Sequence, residues 1–345
     1  MSTNTLDSLS MYDLTAGLPE QVLAAAKNAR GKTKLPEKQD IENIVVLGMG
    51  GSGISGEVIQ AAAGPFMSVP ITVVKSYTIP SFLSENSLVF AISFSGNTEE
   101  TIEASIEAAS MGAKMVCITS GGQLAELASS WNATLIDLPS DIAQPRAAIG
   151  HMSIPPLVVL EDIGFFPGAS EWIDLAVDQL RIRRDELISD KTPAAKLAKK
   201  LARKIPLVYS SGAIGAAAAQ RWKTQINENA KTAAFYGLNP ELCHNEIAGW
   251  GQNGDVTRQL INVVNLRHDS EHPQVQKRFE IIQEVMTEAV AGIDQVWAQG
   301  EGDLAQLFDL ILFGDFVSLH MAYEEDIDPG PIPVLSEIKD RLRKG

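Results

Sequence analysis

Short apolar runs alternate with stretches of helical periodicity along the first half of the chain. The helical stretches include Glu99–Met111, where Ile102, Ile106 and Ala109 fall on one side. This alternation predicts a parallel sheet with helices on both faces, and such sheets bind ligands outside the carboxyl ends of their strands. The runs that predict buried strands are Ile44–Leu47, Ile71–Lys75, Leu88–Ile92, Met115–Thr119 and Thr134–Asp137.

The pattern restarts at Pro206, after a mostly helical stretch that ends in a run rich in lysine and arginine. We therefore predict an α/β protein of two doubly wound parallel-sheet domains, each of three-layer α/β/α architecture, related by a distant duplication. The predicted organisation is a helical lead-in (1–40), a first domain that binds phosphate (41–160), a helical connection (161–204) and a second domain with a C-terminal helix (205–345). The strands predicted in the second domain are 206–211, Ala233–Tyr236, Leu260–Asn265 and Asp294–Ala298.

The bulk properties narrow the choice of partner and compartment. The 345 residues carry a net charge of −15, which argues against nucleic acid and anionic membranes as partners. The two cysteines, Cys117 and Cys243, have no neighbour at metal-ligand spacing, and we expect neither a metal nor a cofactor. The first residues lack the pattern of a signal peptide, and no apolar run of about 18 residues occurs, so we expect a cytoplasmic protein.

Two small, hydroxyl-rich loops each follow a predicted strand and precede a predicted helix. They are Gly48–Gly53 and Ser93–Thr98. Such a loop can aim backbone N–H groups and a helix N-terminus at one anion. Neither loop contains the lysine that a nucleotide-binding phosphate loop requires, so the pattern favours a phosphorylated metabolite held by hydroxyls. The plainer interpretation, that these residues only make tight turns and cap helices, stays open at this point.

These loops, taken with three later segments, give the chain a family resemblance. Gly48–Gly53 followed by Ser93–Thr101 resembles the sugar isomerase domain, which binds phosphosugars. Lys223–Lys231, Pro240–Ile247 and the Pro145-Arg146 pair are similar to segments of bifunctional phosphoglucose/phosphomannose isomerases. The similarity runs over residues 40–343, nearly the whole chain.

The resemblance implies an isomerase that interconverts glucose 6-phosphate, and mannose 6-phosphate, with fructose 6-phosphate without a metal. It implies a homodimer whose active site is completed across the interface. The residues that it assigns to the substrate phosphate are Gly50, Gly51, Ser52, Ser93, Ser95 and Thr98. The residues that it assigns to catalysis are Arg146, Glu246, His272 and Lys339.

Each implied role suits the chemistry of moving a proton between C1 and C2. A carboxylate among apolar neighbours, here Glu246, can serve as the base because partial desolvation raises a carboxyl pKa. A guanidinium, here Arg146, stabilises the developing enediolate and cannot lose its proton. A histidine and Lys339 can open the sugar ring; we favour His272 over His268, and relatives take this histidine from the partner subunit.

Two alternatives remain open from the sequence. A non-catalytic regulatory protein that binds phosphosugars would keep the serine loops, but it would have no need for Glu246 or Lys339. The proline-rich loop Asp328–Pro333 contains no threonine, whereas relatives often carry one there that is associated with mannose 6-phosphate. The phosphoglucose activity is therefore the firmer expectation of the two.

Overall fold

A computed structural model of the protein describes residues 6–189 and 191–344. Residues 1–5 of the predicted lead-in, residue 190 of the predicted connection and residue 345 of the predicted second domain lie outside the described residues. The described strands are β1 (Asn43–Leu47), β2 (Ile71–Val74), β3 (Ser87–Ile92), β4 (Lys114–Thr119), β5 (Thr134–Asp137), β6 (Ile205–Ser211), β7 (Phe235–Asn239), β8 (Ile261–Arg267) and β9 (Gly292–Trp297).

The described α-helices precede, connect and follow these strands. They are α1 (Met11–Ala16), α2 (Leu18–Ala29), α3 (Gly50–Ala63), α4 (Glu99–Ser110), α5 (Gly122–Ser130), α6 (Ile149–Ile163), α7 (Ala169–Leu187), α8 (Pro193–Leu201), α9 (Gly212–Asn229), α10 (Gly254–Leu260), α11 (Pro273–Met286), α12 (Asp303–Glu324) and α13 (Pro333–Lys344).

The first sheet is parallel throughout and has the strand order β2-β1-β3-β4-β5. Every residue of β1 and β3 is buried, because helices cover both faces of the sheet. Ile44 and Val46 belong to one hydrophobic cluster, whereas Val45 and Leu47 belong to another on the opposite face. Strands buried on both faces read as continuous apolar runs, which is why the sequence predicts β1 and β3.

The second sheet is also parallel and has the strand order β7-β6-β8-β9. Its order repeats that of the first four strands of the first sheet, so the predicted α/β fold with two doubly wound sheets is confirmed. The strand predicted at Ala233–Tyr236 instead lies at Phe235–Asn239. Glycine and asparagine disfavour strands, but pairing of Gly237 with Tyr209 and of Asn239 with Ser211 extends β7 to the sheet edge.

The helix after β1 begins earlier than the sequence predicts, at Gly50 rather than near Ser55. Glycine disfavours helix, so the pattern predicts a loop there. The structure needs glycine at these positions for another reason, since a Cβ on Gly51 would lie 3.3 Å from the backbone of Arg146. A Cβ on Gly56 would lie 2.8 Å from Val73 Cγ1. The glycines therefore let α3 pack closely on its neighbours.

One continuous hydrophobic cluster joins the two sheets, with helices α2, α3, α6, α7, α9 and α12 contributing to it. Helix α12 packs against α7, α8 and α9. It is long and apolar enough to cross a membrane by length and composition, but 94% of its most apolar window is buried inside the protein. This burial identifies α12 as a core helix. Its apolar residues are interrupted by polar ones, so a search for an uninterrupted apolar run does not find it.

Helices α3 and α9 pack against each other in opposite directions. The first turn of α3 lies beside Arg146, whose side chain reaches Asn229 at the end of α9. A cavity of about 350 Å³ lies at the other end of the pair, between Glu57 and Ala61 of α3 and Ala213 near the start of α9. Each helix runs opposite to the strand before it, so the carboxyl edges of the two sheets face opposite ends of the molecule.

Candidate phosphosugar site

The two serine loops meet at the carboxyl ends of the adjacent strands β1 and β3. The backbone N–H of Phe94 donates to Ser52 Oγ at 3.3 Å, which ties the second loop to the first. Within the second loop, Ser93 Oγ donates to Thr98 Oγ1 at 3.1 Å. The structure therefore brings together Ser52, Ser93 and Thr98, as the sequence predicts.

The second loop is held in shape by a turn that only glycine can make. Gly96 has a φ of 68°, and a Cβ there would lie 1.8 Å from the carbonyl oxygen of Gly121. Asn97 braces the same turn, because its amide donates to the Ser95 carbonyl at 3.1 Å and its Oδ1 accepts from Gln123 N–H at 3.1 Å. Ser95 is left exposed at the surface of the loop.

The amino ends of α3 and α4 converge on these loops without a capping side chain. Gly50 begins α3 with a φ of 54° and is exposed, and Thr98 precedes α4. Among the described residues, no side chain accepts a hydrogen bond from the first backbone N–H groups of either helix. Free backbone N–H groups and the positive ends of two helix dipoles suit an anion such as phosphate.

Arg146 adjoins the first loop and is 2% exposed. Its Nε donates to Asn229 Oδ1 at 2.8 Å and its Nη1 to Gln144 Oε1 at 3.0 Å. Its Nη2 donates to the carbonyls of Pro329 and Gly330 at 2.6 and 2.8 Å. Burial lowers the pKa of Arg146 to about 10, so it stays charged at neutral pH. The guanidinium thus joins the first domain to α9 and to the loop before α13.

A carboxylate that the sequence analysis did not select accompanies Arg146. Glu228 Oε2 lies 3.7 Å from Arg146 Nη1, and its side chain is 27% exposed. Lys231, three residues further on, has an Nζ that donates to the Glu228 carbonyl at 2.8 Å. Both residues lie in Lys223–Lys231, a segment already noted for its resemblance to isomerases, so that segment carried the signal.

Glu246 lies apart from Arg146 and the serine loops, although the resemblance assigns both Glu246 and Arg146 to catalysis. Tyr209 Oη donates to Glu246 Oε1, and a Cβ on Gly237 would lie 3.1 Å from Glu246 Oε2. Burial and the neighbouring carboxylate raise the pKa of Tyr209 well above its ordinary value. Tyr209 projects into the cluster on one face of the second sheet, whereas α9 packs on the other face. Within one chain, the second sheet therefore separates Glu246 from Arg146 and the serine loops.

The two candidate histidines lie at the carboxyl end of β8, far from Arg146. His272 is exposed and accepts a hydrogen bond from Gln274 N–H at 3.1 Å, at the point where α11 begins. His268 is 2% exposed and makes hydrogen bonds to the Ser211 carbonyl and to Ser270 Oγ. Because α9 runs opposite to the strands, its end at Glu228 lies at the other edge of the sheet. A single chain therefore does not bring either histidine to Arg146.

Lys339 lies on α13, a helix whose described side chains are all exposed. The helix begins at Pro333, three residues beyond the Gly330 carbonyl that Arg146 binds. With a rise of about 1.5 Å per residue, Lys339 stands about 9 Å along the axis from the first residue of α13. Arg146 thus fixes the start of the element that carries Lys339, although Lys339 itself does not touch Arg146.

The arrangement brings together the serine loops, the uncapped amino ends of α3 and α4, the buried guanidinium of Arg146 and the Glu228 carboxylate of α9. Hydroxyls and free N–H groups suit a phosphate group, and the guanidinium and carboxylate suit proton transfer with a developing oxyanion. Fold and site together define a protein of the phosphosugar-binding α/β class.

Comparisons with known proteins agree with this class. Residues 39–140 match the SIS domain, and residues 190–342 match the bacterial phospho-glucose isomerase C-terminal SIS domain. The chain is 33% identical to a bifunctional phosphoglucose/phosphomannose isomerase of Caldicellulosiruptor bescii over 96% of this chain and 98% of that protein. It is 34% identical to the Aquifex aeolicus protein of the same name over 88% of this chain and 91% of that protein. The chain belongs to the family of bifunctional phosphoglucose/phosphomannose isomerases.

A solved structure supports the fold independently. The C-terminal domain of glucosamine-fructose-6-phosphate aminotransferase from Francisella tularensis superposes with a TM-score of 0.70. The match covers 93% of this chain and 98% of that chain at 14% identity. At such an identity the likeness concerns the fold alone.

Proposed function

We propose that this protein is an aldose–ketose isomerase that interconverts glucose 6-phosphate, and mannose 6-phosphate, with fructose 6-phosphate through an enediolate and without a metal. One series of contacts carries the proposal. Gly51 of the first serine loop lies against the backbone of Arg146, and the Glu228 carboxylate lies 3.7 Å from the Arg146 guanidinium. Membership of the isomerase family supports it. Both relatives named above are enzymes, so neither favours a regulatory protein without catalysis.

The phosphate binds at the carboxyl edge of the first sheet. Hydroxyls of the serine loops and the free N–H groups of α3 and α4 surround it, with Gly50 and Gly51 allowing close approach of the backbone. The residues of this proposed phosphate site are Gly50, Gly51, Ser52, Ser93, Ser95 and Thr98.

The geometry favours Glu228 over Glu246 as the base. A base must reach C1 and C2 of a sugar whose phosphate is already held, and Glu228 is the carboxylate beside Arg146. Glu228 takes the C2 proton of the open-chain aldose and returns it to C1, while the proton of the C2 hydroxyl passes to the C1 oxygen, so that C2 becomes the ketone. Arg146 stabilises the charge on the enediolate oxygens during the transfer. Glu246 could contribute only from another copy of the chain.

A pair of isosteric variants tests this assignment. In Glu228→Gln, we expect turnover of glucose 6-phosphate and mannose 6-phosphate to fall by several orders of magnitude, because an amide cannot accept the proton. Binding of the sugar phosphate, measured by calorimetry, should persist. Glu246→Gln is the matched control, and its residual activity should exceed that of Glu228→Gln by at least about tenfold.

The result that contradicts the assignment is equally clear. Full activity in Glu228→Gln together with loss in Glu246→Gln would restore Glu246 as the base, supplied by a second copy. Loss of activity with a chelator, restored by zinc, would refute the metal-free mechanism.

Ring opening needs an acid and a base, for which we propose His272, with His268 as the alternative, and Lys339. Because both histidines lie at the far edge of the second sheet, the proposal includes a cytoplasmic homodimer in which the histidine comes from the partner. The exposed apolar side chains of α13, among them Val334, Ile338 and Leu342, are compatible with such an association. Activity regained on mixing inactive His272→Ala and Glu228→Gln proteins would support it, whereas inactivity of every mixture would contradict it.

A further inference from the structure

Lys231 has a backbone conformation that favours glycine. Helix α9 ends at Asn229, and Lys231 follows its C-cap residue with a φ of 54°. This is the position at which helices commonly end in a left-handed residue, which is usually glycine because a Cβ is strained there. A lysine at this position strains the backbone, and an outlier of this kind indicates that the side chain has a role.

The Lys231 side chain folds back over the end of α9 and reaches a second element. Its Nζ donates to the Glu228 carbonyl at 2.8 Å, which leaves that helix-terminal group satisfied. The same Nζ donates to the carbonyls of Asp328 and Pro329 at 3.0 and 3.2 Å. The loop Asp328–Gly330, which we call the strap, is thereby joined to the end of α9.

Arg146 holds the same strap from the other side. Its Nη2 donates to the carbonyls of Pro329 and Gly330, so the Pro329 carbonyl accepts from both cations. The Asp328 carboxylate accepts the Gly330 N–H at 2.9 Å and shapes the turn. Two cations on three successive carbonyls fix the strap at the point where Glu228 and Arg146 meet.

The strap leads directly into α13, the helix that carries Lys339. The described side chains of α13 are exposed, so packing against the rest of the protein does not fix this helix. The strap therefore determines where α13 begins relative to Arg146. Freeing the strap would therefore displace Lys339 without removing any group that touches the substrate.

We propose that Lys231 is a positioning residue, which clamps the strap to the end of α9 and so sets where α13 begins relative to Arg146. The effect on catalysis rests on the proposed isomerase function, whereas the clamping does not. The charged groups that face Lys231 are Arg146, Glu228 and Asp328, one from each element around it.

Substitution by glycine separates clamping from folding. Lys231→Gly removes the ammonium and also relieves the left-handed backbone, so the variant should fold with a melting temperature equal to or above that of the wild type. We expect hydrogen exchange of strap and α13 amides to become at least about threefold faster and kcat for glucose 6-phosphate to fall by about tenfold or more. The matched control is Lys34→Gly, because Lys34 also has a positive φ, 68°, and donates instead to Asn132 in the first domain.

The outcomes are distinguishable. Unchanged exchange in the strap and α13 of Lys231→Gly would overturn the clamp, whatever the activity. Faster exchange with unchanged kcat would overturn the catalytic part of the proposal alone. A fall in kcat for Lys34→Gly equal to that for Lys231→Gly would also overturn it. Failure of the isomerase proposal would instead appear as a wild-type protein that does not interconvert glucose 6-phosphate or mannose 6-phosphate with fructose 6-phosphate.

Discussion

At the scale of single residues, the site depends on backbone geometry as much as on functional groups. The second serine loop turns at Gly96 against the Gly121 carbonyl, and the first loop passes Arg146 at Gly51. Hydroxyls supply the ligands, but glycines decide where those hydroxyls lie. The strongest tests at this scale therefore replace a glycine by alanine, which adds a single methyl group.

Gly96→Ala should damage the phosphate site severely. A Cβ there would lie 1.8 Å from the Gly121 carbonyl oxygen, at a φ of 68°. The loop must move, so we expect the Kd for a sugar phosphate, measured by calorimetry, to rise by at least about tenfold. Gly168→Ala is the control, because Gly168 has a φ of 91° but no heavy atom within 4 Å of an added Cβ. Equal affinity losses in the two variants would show that strain alone, not the clash, is responsible.

The charge on Lys231 predicts a dependence of stability on pH. Burial and the nearby Arg146 lower the pKa of Lys231 from 10.5 to about 8 in the folded protein. Between about pH 8 and 10.5 the unfolded chain therefore binds more protons at this residue, and its contribution to stability rises with pH. The free energy of unfolding, measured in urea at pH 7.5 and 9.5, should therefore increase less with pH in Lys231→Gly than in the wild type. The same pH dependence in variant and wild type would contradict the assignment.

At the scale of elements, close helix contacts align the two domains. Gly314 of α12 admits Trp222 of α9, since a Cβ on Gly314 would lie 2.2 Å from Trp222 Nε1. The Trp222 indole also donates to the Leu310 carbonyl at 2.8 Å. Glu228 lies in the last turn of α9, so the packing of α9 against α12 determines where Glu228 meets Arg146. A substitution in the core can therefore alter the site from a distance.

Gly314→Ala tests how tightly α9 and α12 are packed against each other. Overpacking against a fully buried indole should lower the free energy of unfolding by about 2–4 kcal/mol, measured in urea. Gly64→Ala is the control, because Gly64 has helical dihedrals and an added Cβ there would lie 3.8 Å from Gln60 Cγ, at ordinary van der Waals distance. We expect that control to stay within about 0.5 kcal/mol of wild type. A loss below about 1 kcal/mol for Gly314→Ala would show that α9 and α12 adjust freely.

At the scale of the whole molecule, one core joins the two sheets. The main hydrophobic cluster includes Ile44 and Val46 of the first sheet and Val208 and Val264 of the second. Helices that belong to both domains fill the space between them. Neither domain could separate without exposing apolar surface that now lies against the other.

This shared core predicts cooperative unfolding. Amides of β1 and β6 should lose protection at the same urea concentration in pulsed hydrogen exchange, because the same buried contacts protect both strands. Two separate transitions would indicate that each domain has a sufficient core of its own. The exposed helix α13 provides an internal comparison, since its amides should exchange at lower urea concentrations than either strand.

The sequence by itself determined the elements and the phosphate loops of this protein. Strands buried on both faces leave apolar runs, and loops that turn at a strand end leave glycine and serine at short spacing, so both are local patterns. The positions of Ser52, Ser93 and Thr98 could therefore be predicted together. The resemblance to isomerases identified the family from the same local segments.

Only the tertiary structure decided which carboxylate accompanies Arg146. Glu246 has the more suggestive neighbours in sequence, but Tyr209 holds it on the face of the second sheet opposite to α9. Glu228 reaches Arg146 because α3 and α9 run in opposite directions. Helix direction and sheet face depend on contacts between residues far apart in the chain, which no local pattern records.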